Sequence, residues 1–311
     1  MVVGRNAGET VTGDPRPRLA VTLAPLVESA TANSPGNAQD ALGAIARMGY
    51  PAVQWSATSP GLRPRDLDAS ARRGIVSSMR RLELTCSGVD AWIPPGHLLD
   101  PATIDRAVGA IELAVRLAAD LALGPSLSAS DRLLRPHVSL LLPSETEFAE
   151  RPAVASQAKD ALDGLASLAA RLGVVIADHA LDAMQRTTRD GFGVGIDPAL
   201  WVAAGRDPSA AATTAAGHLA AARLVDSFRS GMRGPILEPG ESRLDVTAYR
   251  VALDLIGFRS PLVVDARQWR DPLAGVETTI RRWAERWGYE LPSPGSSSLG
   301  SILHGDPRPR H

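Results

Sequence analysis

The stretch GFGVGIDPALW (residues 191–201) decides how the chain reads. A short apolar, glycine-rich run delivers one carboxylate, Asp197, and Pro198 then ends the run. A continuous apolar run of this length suits a parallel strand buried on both faces. Its last residue then stands at the C-terminal end of a strand, where α/β folds gather their chemistry. The same Asp-Pro pair also reads as the cap of a following helical turn.

Seven further segments have the same short, apolar character: LAVTLA (19–24), PAVQWS (51–56), LTCSGVDAW (84–92), HVSLLLP (137–143), GVVIAD (173–178), AARLVDS (221–227) and PLVVDA (261–266). Helical patterns lie between most of them. The segment 37–49 opens on Asn37 and closes on Gly49, a cap at each end. The segment 100–124 places Ile104, Val108, Ile111, Val115 and Ala118 on one stripe. Segments 157–173, 245–257 and 276–288 repeat the pattern. Eight strands alternating with helices predict an α/β fold, a (β/α)8 TIM barrel, with a doubly wound open sheet as the alternative. No G-x-G-x-x-G follows the first strand, which disfavours the open sheet and a nucleotide cofactor.

The chain has 311 residues, 44% of them hydrophobic, and a formal net charge of −1. No linker divides it, so one barrel domain is expected over 18–290, with disordered tails at 1–17 and 291–311. The hexapeptide GDPRPR occurs twice, at 13–18 and 305–310. The charge balance points away from nucleic acid and from membrane surfaces as partners. A single cysteine, Cys86, excludes an intrachain disulfide. Residues 16–32 imitate a signal peptide, but Pro25 interrupts the apolar part and the first strand needs the segment, so the expected location is the cytoplasm.

If the barrel holds, the strand ends converge on one rim. They supply Gln54, Trp55 and Ser56; Asp90 and Trp92, followed by His97; Asp178 and His179; Asp197; Arg223 and Asp226; and Asp265, Arg267 and Trp269. This order, with AARLVDSFRSG (221–231) and GFRSPLVVDARQW (257–269), resembles the sugar phosphate isomerase/epimerase family of the xylose-isomerase-like TIM-barrel superfamily. The resemblance spans nearly the whole domain. It implies a divalent metal (Mn, Mg, Co or Zn) held by glutamate, aspartate, histidine and glutamate at the ends of strands five to eight, and acid/base proton transfer on a small sugar.

Only Asp197 keeps its family identity. Asp178 and Asp265 stand where the family has glutamate, and Arg223 where its H-L-x-D phrase has histidine; Leu200 replaces a further histidine. Each aspartate is one methylene shorter, a retreat of roughly 1.5 Å. An arginine cannot ligate a metal, and its charge repels one. The implied metal set is therefore Asp178, Asp197 and Asp265, with the balance falling toward no metal.

By the same resemblance Asp178, His179 and Asp226 are candidate catalytic groups. Trp55, His97, Arg223, Arg267 and Trp269 are candidate contacts to a carbohydrate-like ligand. Asp226 with Arg223 also reads as a structural ion pair, and the tryptophans as packing. Two functions follow: a sugar isomerase or epimerase, or a barrel that lost its chemistry and serves as a ligand-binding or structural protein. A homo-oligomer is compatible with either.

Overall fold

The computed structural model describes residues 18–28, 35, 37–122, 135–186, 189–236, 238 and 240–292. The expected tail 1–17 and residues 293–311 of the expected tail 291–311 lie outside them. In chain order the elements are β1 (Leu19–Thr22), α1 (Ala24–Glu28), α2 (Ala38–Arg47), β2 (Ala52–Ser56), α3 (Ala69–Arg81), β3 (Thr85–Asp90), α4 (Ile104–Ala122), β4 (His137–Leu140), α5 (Glu145–Glu150), α6 (Pro152–Arg171), β5 (Val175–Asp178) and α7 (Ala183–Arg186). They continue with β6 (Phe192–Ile196), α8 (Pro198–Ala203), α9 (Pro208–Thr214), β7 (Leu219–Ala222), β8 (Asp226–Ser227), β9 (Arg233–Gly234), α10 (Val246–Leu255), β10 (Leu262–Val264) and α11 (Pro272–Trp287).

The strands pair in parallel in the order β10-β1-β2-β3-β4-β5-β6-β7, so the chain forms the (β/α)8 barrel expected from its pattern. Closure between β7 and β10 rests on a single bridge, Arg223 to Val263, with Leu224 N donating to Val263 O at 2.8 Å. Strands β8 and β9 form a separate antiparallel ribbon after β7.

Period-two alternation sorts the strand residues. Val21, Val53, Val138, Ile176, Ile196 and Val264 belong to the large core between sheet and helices. Ala20, Ala52 and Val263 form a small cluster of their own, inside the barrel. Above it the lumen turns polar. Thr22 Oγ1 donates to Gln54 Oε1 at 2.8 Å, and Gln54 Nε2 reaches Ser139 Oγ and His137 Nε2, each at 3.1 Å. Glycines make the room. A Cβ on Gly88 would lie 2.3 Å from His137 O, and one on Gly195 2.6 Å from the His179 ring.

Candidate functional site

The strand ends deliver a buried lattice of three carboxylates and three guanidiniums. Arg223, one residue beyond β7, sits at its centre with a side chain only 3% exposed. Its Nη1 lies 2.9 Å from Asp197 Oδ2 and 3.3 Å from Asp265 Oδ2; its Nη2 lies 3.2 Å from Asp90 Oδ1. Arg267 bonds Asp265 through Nε (2.9 Å) and Nη2 (2.7 Å) and reaches Asp90 Oδ2 with Nη1 at 3.0 Å. Arg233, from the β8–β9 ribbon, forks onto Asp197 at 3.2 and 3.0 Å and touches Asp265 at 3.3 Å. Three positive charges meet three negative ones, so the cluster is neutral.

Electrostatics follow from that pairing. Burial alone would raise Asp197, but Arg233 and Arg223 outweigh it and bring its carboxyl down to about 2. Burial also opposes ionisation of Asp265, yet Arg267 and Arg223 hold it well below the usual carboxylate range. At Asp90 burial exceeds the pull of Arg267 and Arg223, and its carboxyl is raised. Asp197 also caps α8, accepting from Leu200 N at 3.3 Å, so both readings of the Asp-Pro pair hold.

The fit of a divalent metal can be judged on these donors. Asp197, Asp265 and Asp90 converge, but the Arg223 guanidinium lies between them and Arg233 and Arg267 hold their remaining oxygens. Among the described residues no group of three or more His, Cys, Asp or Glu is arranged to hold a metal ion. The arrangement does not fit the metal centre implied by the resemblance.

The other candidates are distributed by strand parity. Asp178 shares the outward parity of Ile176. It accepts from Leu142 N (3.1 Å) and Ala180 N (3.0 Å) and pairs with Arg186 at 2.8 Å, away from Asp197 and Asp265. His179 faces the lumen, where its Nε2 lies 3.1 Å from Ser139 Oγ. Burial and the charge of Arg223 push His179 well below the ordinary histidine range and bring His137 to about 4, so both are neutral at pH 7. The Nδ1 atoms of both are buried without a hydrogen-bond partner among the described residues.

Asp226 does not pair with Arg223. It bonds the Ser242 hydroxyl and the Arg243 and Leu244 amides, pinning the loop before α10. Trp55 and Trp269 are packing residues, Trp55 donating to Leu62 O at 2.9 Å. His97 is exposed on a 3-10 turn, Pro95–Leu99. Trp92, noted at a strand end but not chosen as a ligand contact, is 48% exposed and carries the Arg267 guanidinium 4.3 Å from its ring centroid.

Of the sequence candidates, Arg223, Asp197, Asp265 and Arg267 come together in this cluster; Arg233 was not among them. Asp90 was visible as a strand end, and its inward parity with Gly88 was the unused signal. Nothing local in FRSGMRG (228–234) marks Arg233, because the ribbon that aims it exists only in three dimensions.

No family model matches the chain, and none of the curated proteins matches it. Solved structures do. A xylose isomerase domain protein from Planctomyces limnophilus aligns over 88% of this chain and 95% of its own, at 16% identity and a TM-score of 0.60. A D-psicose 3-epimerase from Clostridium cellulolyticum H10, solved with D-tagatose, covers 87% and 98% at 13% identity and a TM-score of 0.64. A xylose isomerase-like TIM barrel protein from Mycobacterium smegmatis, in complex with magnesium, covers 86% and 95% at 12% identity and a TM-score of 0.59. This chain therefore shares its barrel fold with these isomerase-like and epimerase proteins.

Proposed function

We propose that this protein is a metal-independent barrel that binds a small carbohydrate-like compound at its mouth and does not carry out metal-dependent sugar isomerisation. One observation carries the reading: the Arg223 guanidinium occupies the point where Asp90, Asp197 and Asp265 converge. A neutral cluster offers no excess negative charge to a cation. Asp197 and Asp265 are also poor proton acceptors, because their conjugate acids are so strong. The ligand contacts would be the exposed face of Trp92, which suits the C–H face of a sugar ring, and the outer N–H groups of Arg267 and Arg233, 17% and 20% exposed.

A second reading keeps an isomerase without metal, because His179 is neutral and hydrogen-bonded to Ser139 in the lumen. It ranks lower since His179 lies buried among the same charges that seal the mouth.

The deciding experiment combines metal analysis of the purified chain with an aldose/ketose panel, assayed with and without added manganese, cobalt or magnesium. The expected result is no stoichiometric ion, no interconversion, and calorimetric binding of one panel member that Trp92→Ala weakens about tenfold. One tightly held divalent ion per chain, or interconversion that chelator abolishes, would overturn the proposal.

A further inference from the structure

Residues 179–191, which join β5 to β6, are too few for a full helix and two turns. Among the described residues of this stretch the one helix is the one-turn α7, Ala183–Arg186, where neighbouring connections carry α4 of 19 residues and α6 of 20. The helix layer is therefore thin beside β5 and β6, and Phe192 at the start of β6 stays half-buried. The gap is a cleft of about 440 Å³ between α5, α6, α7 and β6. That volume lies within the roughly 300–1,000 Å³ of small-molecule sites.

The lining has two chemistries. Leu142, Phe148, Leu162 and Phe192 form an apolar floor. Lys159, Arg186 and Arg189 outnumber the two lining acids, Glu145 and Asp178. Asp178 is already committed to Arg186 and two backbone amides. Arg186 Nε is buried with no hydrogen-bond partner among the described residues. Lys159 Nζ stands 3.9 Å from Glu145, a loose contact between half-exposed groups. Arg189 pairs at 2.9 Å with Asp163, one turn along α6 from Lys159, so both cations belong to one wall.

We propose that this cleft is a second binding site, apart from the barrel mouth, for a small organic anion with an apolar body, the size of an aromatic or branched-chain carboxylate. The acid group lies between Lys159 and Arg189, and the body rests on the Phe148, Leu162 and Phe192 floor.

Lys159 is the only lysine in the chain, which makes the test selective. Reductive methylation of the intact protein with 13C-formaldehyde keeps its charge and labels one side chain besides the terminal amine; Lys159→Arg identifies the signal. Titration with phenylacetate is expected to shift that signal saturably. Acetate and 2-phenylethanol, lacking the body or the charge, are expected to leave it in place. Arg189→Gln should weaken the phenylacetate response about tenfold, and Gln185→Trp, which fills the cleft from an exposed position on α7, should abolish it. The absence of a saturable response to phenylacetate would overturn the proposal. So would an equal response to acetate, or a signal that follows protein concentration alone, as when a second copy fills the cleft. The readout sits on Lys159, so it reports on this cleft whatever the barrel mouth binds.

Discussion

At the residue scale, Arg223 decides the character of the molecule. Its planar fork serves three carboxylates from three different strand ends, a geometry that a lysine point charge does not reproduce. Removing it leaves Asp90, Asp197 and Asp265 buried with too few counter-charges. Breaking a buried ion pair in this way costs about 3–5 kcal/mol. Arg223→Met is therefore expected to lower the unfolding free energy by about that amount in urea titration, and Arg223→Lys to recover only part of it. A loss below about 1 kcal/mol would mean that Arg233 and Arg267 alone neutralise the site. The importance of position 223 was legible in the chain as an arginine in an otherwise apolar strand end. Its partners were only partly so. Asp178 and Asp197 look alike as strand-closing acids, yet parity sends Asp178 to the helix layer and Asp197 to the lumen.

At the element scale, the strands were readable and several helices were not. Seven of the eight barrel strands fall on the apolar runs, because a strand buried on both faces needs little besides β-branched and small apolar residues; β7, Leu219–Ala222, meets the run 221–227 only at Ala221 and Ala222. Helix α3, Ala69–Arg81, escaped because it buries one side chain fully, Met79, and is rich in arginine, so no apolar stripe announces it. The glycines inside β6 look like weak points for a strand, but Gly195 is where the His179 ring packs. Gly195→Ala puts a methyl 2.6 Å from that ring and is expected to cost about 1–3 kcal/mol. Thermal or urea unfolding checks it. Adding His179→Ala to the same chain should return part of the loss, and strictly additive costs would show that the two positions do not meet.

At the scale of the whole molecule, the polar lumen makes stability depend on pH. His137 is neutral in the folded barrel down to about pH 4, whereas an unfolded histidine takes up a proton near 6.5. Between those values the unfolded chain binds more protons, so stability falls as pH drops, by up to roughly 1.4 kcal/mol per unit for each such histidine. His179, shifted in the same direction, adds to the slope. Below about pH 4 a second loss begins as Asp197, whose folded carboxyl titrates near 2, starts to hold fewer protons than its unfolded counterpart; Asp90, shifted upward, takes up its proton first in the folded state and so opposes the decline above that pH. Urea midpoints measured from pH 7 to 4.5 should decline, and His137→Gln should flatten the decline. An unchanged slope in that variant would place the titration elsewhere.

The weak seam between β7 and β10 ties closure of the barrel to its charge cluster. One backbone bridge joins the two strands, and the Arg223 side chain spans the same gap to Asp265. The guanidinium at the centre of the charge cluster is thus also a clasp of the ring. A histidine at 223 would unfasten the seam and leave three acids with two counter-charges, so closure of the barrel and its charge balance hang on one side chain and neither can be altered alone.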